Sequence, residues 1–123
     1  MILITGSNGF IGSHFITELL KMNEDILCID NCSNSDLEII RKVENLVLKK
    51  FRFKKIDLLS HELSKLFENF SITTIIHFAG LKSIGESVNY PSKYYYNNVL
   101  GSKHLFDLAK KHHIKNLIFS SSA

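Results

Sequence analysis

Proline, cysteine and concentrated charge are scarce in this 123-residue chain, and each scarcity removes a class of protein. One Pro, six Gly and no repetitive tract argue against a fibrous or disordered chain. Two cysteines, Cys28 and Cys32, cannot build a disulfide framework and suit a reducing cytoplasm. The net charge is a mild +3, and the lysines are spread along the length, so no nucleic-acid partner is expected. No apolar run approaches the ~20 residues of a bilayer-spanning helix, so no membrane partner is expected either. Residues 1–5 are apolar, but a Gly-rich turn follows at once and no basic region precedes them, unlike a signal peptide. What remains is ordinary for a globular protein: 45% hydrophobic and 22% charged residues, with room for one domain over 1–123.

Apolar runs bounded by turn residues alternate with helix-length amphipathic stretches. Strands are predicted at Met1–Thr5, Asp25–Ile29, Phe51–Ile56, Thr73–Phe78 and Asn116–Ser120. Helices are predicted at Ile11–Met22, over 36–48, at Glu62–Phe70, and from Pro91 to about His112, with Pro91 in the first turn. Strand–helix alternation implies parallel strands joined by right-handed crossovers. Strands that are almost wholly apolar imply helices on both faces. The expected fold is α/β: a Rossmann-type doubly wound parallel sheet with five strands in the order 3-2-1-4-5.

The most informative residues are Gly6, Gly9 and Gly12, spaced G-x-x-G-x-x-G directly after a strand and directly before a helix. Gly6 permits a tight turn, Gly9 lets the backbone approach a pyrophosphate, and Gly12 lets the helix lie close to the strand. Free N–H groups at the helix start then bind phosphate. No Gly-Lys-Ser/Thr follows at the spacing of a nucleoside-triphosphate loop. Asp30 ends the second strand, 18 residues beyond Gly12. An acidic residue there hydrogen-bonds the adenosine ribose, and its charge repels the extra phosphate of NADP, which points to NAD.

Other positions carry two readings. Asp57 either caps the next helix or lies near an adenine ring. Lys82 is either a partner for phosphate or ribose oxygens or a solvated loop lysine. His77, inside an apolar run, reads as a satisfied core histidine, and Cys28 as core. Tyr94, Tyr95 and Tyr96 read as packing and surface. His112 and His113 close a helix, where imidazolium complements the dipole, and no metal site is expected.

Read together, TGSNGFIGSH, DNCSNS, HFAGLKSIGESV, YYYNNV and NLIFSSSA resemble the extended short-chain dehydrogenase/reductase family, and within it the UDP-glucose 4-epimerases. The resemblance runs over the whole chain, and the segment Ala79–Val88 separates the epimerases from their sugar-nucleotide siblings. It implies that Phe10 and Ile11 lie over the pyrophosphate. Asp30, Asn31, Cys32, Ser33, Asn34 and Ser35 would surround the adenosine ribose, with Asp57 and Leu58 flanking the adenine. Phe78, Ala79, Gly80, Leu81 and Lys82 would run beneath the cofactor, Asn97 would reach it from the long helix, and Ser122 matches the catalytic serine. UDP-galactose and UDP-glucose are the implied substrates of the full-length enzyme, and a homodimer is its implied assembly.

One departure stands out. The family's chemistry uses a Tyr-x-x-x-Lys pair, whose lysine lowers the tyrosine pKa so that the phenolate can take the sugar 4-hydroxyl proton while hydride passes to NAD. Here Tyr90, Tyr94, Tyr95 and Tyr96 are followed four residues later by Tyr94, Asn98, Val99 and Leu100. The chain therefore reads as an amino-terminal fragment, inactive by itself, without the pair or the substrate domain. A sibling dehydratase or decarboxylase, and a non-catalytic NAD-binding module, are the competing readings.

Overall fold

The computed structural model describes residues 1–121. Five strands form one parallel sheet: β1 (Ile2–Thr5), β2 (Ile26–Asp30), β3 (Arg52–Lys55), β4 (Thr74–His77) and β5 (Asn116–Phe119). Their spatial order is β3-β2-β1-β4-β5, the expected one. Helices α1 (Phe10–Lys21), α2 (Glu38–Val47) and α3 (His61–Asn69) connect the first four strands, and a longer helical run leads from β4 to β5.

The central strands are buried on both faces because successive side chains point to opposite sides. Leu3, Leu27, Ile29 and Ile75 meet Leu63, Leu66 and Phe67 of α3, together with Leu105 and Leu108 further along. Their neighbours Ile4, Ile26, Cys28 and Ile76 meet Ile16 and Leu20 of α1 and Val43 of α2. Burying one such side chain contributes about 1.5–3 kcal/mol, so a strand left bare on either face would forfeit half its stabilisation. Cys28 belongs to this core, and burial pushes its thiol pKa up.

The edge strands break the burial pattern. Arg52, Lys54 and Lys55 of β3 are exposed, a charged edge of the kind that discourages pairing with another chain. Leu117, Ile118 and Phe119 of β5 are also exposed.

The run from β4 to β5 differs from the single helix expected over 91–112. A short helix α4 (Ile84–Asn89) comes first, its start capped by Ser83 Oγ accepting the Glu86 N–H at 3.4 Å. Ser83-x-x-Glu86 is the sequence form of a capping box. Pro91 then opens α5 (Pro91–Tyr94), as expected from its missing N–H. A π-helical segment, Tyr95–Leu100, follows before α6 (Gly101–Lys111) resumes the α-helix. Among the described residues no helix is long and apolar enough to cross a membrane.

His77 is the core histidine its neighbours predict, with no solvent exposure. Its Nδ1 lies 2.5 Å from Thr5 Oγ1 and its Nε2 2.7 Å from Ser102 Oγ, so both ring nitrogens have partners. Burial disfavours the charged imidazolium and lowers the pKa to about 4. The unfolded chain therefore takes up this proton first, and stability falls as pH drops from 6.5 toward 4. The span corresponds to about 3 kcal/mol. Denaturant titrations across that range should show it, and His77→Leu should flatten that part of the profile; an unchanged slope in the variant would refute the assignment.

Candidate functional site

A cleft of about 320 Å³ opens at the carboxyl ends of the strands, where the order reverses between β1 and β4. Its first wall is the turn between β1 and α1. Gly6 adopts φ +68, and a Cβ there would stand 2.5 Å from the Ala79 nitrogen. The glycine thus serves both a left-handed turn and a backbone contact. The turn closes with Gly9 N–H donating to the Gly6 carbonyl at 3.2 Å. Gly9 is then the N-cap of α1 and, lacking a side chain, caps nothing. The first N–H groups of the helix therefore keep their donors free, with no acidic side chain in the first turn. Gly12 fits only as glycine, because a Cβ would collide with the Gly6 carbonyl oxygen. Phe10 and Ile11 line the mouth at 81% and 49% exposure, two apolar side chains held open over the cleft.

The second wall is the loop after β2. Asp30 is 8% exposed, yet its carboxylate is well supplied with donors. Oδ2 accepts the Asn8 N–H at 3.0 Å, and Oδ1 accepts the Cys32 N–H at 2.8 Å and the Ser35 hydroxyl at 3.2 Å. A carboxylate has about four acceptor sites, so one remains for a ligand hydroxyl. Asn31, Ser33 and Asn34 line the cleft beside it. Cys32 and Ser35, expected there too, do not line it; they hold Asp30 from behind.

Asp57 also stands one step back. Its Oδ1 accepts the Leu59 N–H at 2.9 Å and its Oδ2 accepts from Asn31 Nδ2 at 2.8 Å, while Leu58 reaches the cleft. The capping reading is corrected: Ser60, not Asp57, is the N-cap of α3.

The floor is the segment after β4, with Phe78, Ala79, Gly80, Leu81 and Lys82 all lining the cleft. Lys82 is exposed and has no carboxylate within salt-bridge distance among the described residues. Asn97 completes the lining from the π segment and donates from Nδ2 to Asn98 Oδ1 at 2.8 Å. Asn98 pairs with Leu81 in both directions, accepting its N–H at 2.8 Å and donating to its carbonyl at 2.9 Å. Tyr94 ties α4 to this run, accepting the Ser83 N–H at 3.0 Å and donating to Glu86 at 2.9 Å. Ser122 lies outside the described residues.

Sixteen expected cofactor positions thus meet in one cleft, and Cys32, Ser35 and Asp57 support it from behind. Sequence reasoning missed Thr5, Ile29 and Ile56 in the lining, and Asn8 and Asn98 as fasteners. The doubled Asn97-Asn98 in a helical run was a usable signal, since Asn is a poor helix former.

The profile of the NAD dependent epimerase/dehydratase family matches residues 2–123. This chain belongs to that family. Among curated relatives of this epimerase/dehydratase chain, the UDP-glucose 4-epimerase of Dictyostelium discoideum is 45% identical over 123 residues, 99% of this chain and 36% of that protein. The UDP-glucose 4-epimerase of Bacillus subtilis is 44% identical over 99% of this chain and 36% of its own length. A crystal structure of UDP-glucose 4-epimerase from Bifidobacterium longum, in complex with NAD+ and UDP, superposes with a TM-score of 0.94 at 39% identity. It is covered over 37% of its length by 99% of this chain. The chain spans about 36% of the length of these curated relatives.

The glycines of this family chain should rank by what their Cβ would meet. At Gly9 the only near atom is the Gly6 carbonyl oxygen at 3.3 Å, a small adjustment, whereas at Gly12 that same oxygen overlaps the Cβ position and two backbone atoms of Ser7 crowd it at 3.0 Å. Gly12→Ala should therefore lower unfolding free energy by about 3 kcal/mol, and Gly9→Ala by about 1 kcal/mol or less. Paired denaturant melts decide it, and equal losses would break the ranking.

Proposed function

We propose that this chain holds NAD across the carboxyl edge of its sheet, as the front part of a UDP-glucose 4-epimerase acting on UDP-galactose and UDP-glucose. The observation that carries this is the uncapped start of α1 facing the same cleft as Asp30, so that one end attracts phosphate and the other accepts ribose hydroxyls. The residues fit the group: Gly9 leaves room for the pyrophosphate, Phe10 and Ile11 offer apolar cover, and Asp30 has an acceptor site to spare. In this reading Leu58 flanks the adenine, Phe78, Ala79, Gly80, Leu81 and Lys82 run beneath the cofactor, and Asn97 reaches it from the helical run, a reading supported by their all lining the cleft. NAD, when bound, supplies a hydride acceptor and donor for the sugar C4 position.

Ser122, by the resemblance of Ser120-Ser121-Ser122 to the family's motif, would orient the reacting hydroxyl. A serine hydroxyl is too weak a base at neutral pH to take that proton alone, and no tyrosine here has a lysine four residues on. The proton-accepting group is therefore not assigned to residues 1–123. Two free cysteines support a cytoplasmic setting, and the resemblance supports a homodimer for the longer enzyme.

Cofactor choice tests the site directly. Calorimetric titration should show NAD binding at least about tenfold tighter than NADP, because the 2′-phosphate would meet the Asp30 charge. Asp30→Ala should weaken NAD and narrow that preference; equal or tighter NADP binding by the unmodified chain would sink the assignment. Gly9→Val should abolish NAD binding. A coupled assay for UDP-glucose formation from UDP-galactose should show at least about 10²-fold less turnover by these 123 residues than by a full-length relative. Turnover within tenfold of that control would mean that a residue here replaces the missing tyrosine.

A further inference from the structure

Asn8 is the middle of the glycine turn, yet its side chain works elsewhere. It is 1% exposed, and its Nδ2 donates to the Cys32 sulfur at 3.6 Å and to the Asp36 carbonyl at 3.4 Å. Its backbone N–H meets Asp30 Oδ2 at 3.0 Å. These side-chain contacts are long, but burial makes them obligatory, since an amide cut off from water is costly without acceptors. The turn itself does not call for asparagine, because Asn8 is not among the residues with positive φ. Cys32, by contrast, is held at φ 55, a conformation a non-glycine residue seldom adopts. Two groups grip it there: Asp30 takes its N–H and Asn8 reaches its sulfur.

The loop after Asp30 divides accordingly. Asn31, Ser33 and Asn34 face the cleft, and Cys32, Ser35 and Asp36 are the tied positions. We propose that Asn8 is a positioning residue for the adenosine end of the dinucleotide. Its amide sets the spacing between the phosphate-binding turn and the ribose-facing loop. This rests on the NAD assignment above and extends it to a residue that does not itself line the cleft.

Asn8→Ser and Asn8→Ala both shorten the side chain so that it no longer reaches Cys32 or Asp36. Both should bind AMP, which carries only the adenosine end, about tenfold more weakly than the unmodified chain. Cys32 should also react several-fold more slowly with a thiol reagent, because the Asn8 donor that favours its thiolate is gone, and Cys28, fully buried, does not interfere. The melting temperature should stay within a few degrees, which separates loop positioning from general destabilisation. If one variant fails to fold, the other carries the test, and Cys32→Ala, which removes one acceptor from the opposite side, should weaken AMP in the same direction. Unchanged AMP affinity in the folded variants, or a loss that tracks melting temperature with no change in Cys32 reactivity, overturns the proposal. Failure of the unmodified chain to bind either AMP or NAD overturns the NAD assignment itself, and the proposal with it.

Discussion

Gly12 lies against the Gly6 carbonyl so closely that no Cβ fits between them, and a Cβ on Gly6 would stand only 2.5 Å from the Ala79 nitrogen. Three segments therefore converge where only bare backbone can pass: the end of β1, the first turn of α1 and the exit from β4. Side chains fill protein interiors at crystal-like density, so a contact without side chains fixes spacing more tightly than an ordinary apolar one. The convergence brings the start of α1 over the end of β4, and with it the free N–H groups of the helix over the floor formed by Phe78 to Lys82. A helix displaced by one methyl group would no longer aim those donors into the cleft.

Charge is then distributed unevenly along the same cleft. Asp30 is nearly buried, and all three of its donors are neutral, two backbone N–H groups and one hydroxyl. They solvate the carboxylate without cancelling its charge, as water would. At the turn, the first-turn N–H groups carry partial positive charge, and Lys82 adds a full one from the floor. A ligand with a hydroxyl-bearing end and a central anion matches this gradient, whereas one with an anion at both places is repelled at Asp30.

The parts of this arrangement visible in the sequence are those set by local chemistry. Strand order followed from apolar runs alternating with amphipathic stretches, and the glycine spacing marked the turn because each glycine answers a local steric demand. The fasteners were hidden because their partners are distant: Asn8 meets Asp36, and Asn98 meets Leu81, in contacts that no window on the sequence contains. Cys32 and Ser35 were expected around the ribose because the resemblance covers Asp30 to Ser35 as one segment, but a loop cannot present every side chain to one side. The third strand was expected over Phe51–Ile56 among strands almost wholly apolar, whereas β3 is Arg52–Lys55 and three of its four residues are charged. The helix α4 had a local signal in Ser83 and Glu86, while its one apolar pair at helical spacing, Ile84 and Val88, is exposed and packs on no core.

The π segment shows why the long-range part is the harder one to read. In a regular α-helix adjacent residues point about 100° apart and do not face a common neighbour. Asn97 nevertheless lines the cleft while Asn98, the next residue, pairs with both backbone groups of Leu81 on the cleft floor. Widening the helix over Tyr95–Leu100 changes the turn angle locally and lets the two amides serve one region, joined by their own hydrogen bond. Neighbouring propensities favour an unbroken helix, so the insertion must be stabilised from outside it. The paired bonds to Leu81 supply that stabilisation, and π insertions are often found at functional sites. The wall at Asn97 and the floor at Leu81 and Lys82 are thus one fastened unit, which fixes the end of the cleft opposite Asp30 without any demand on the glycine turn.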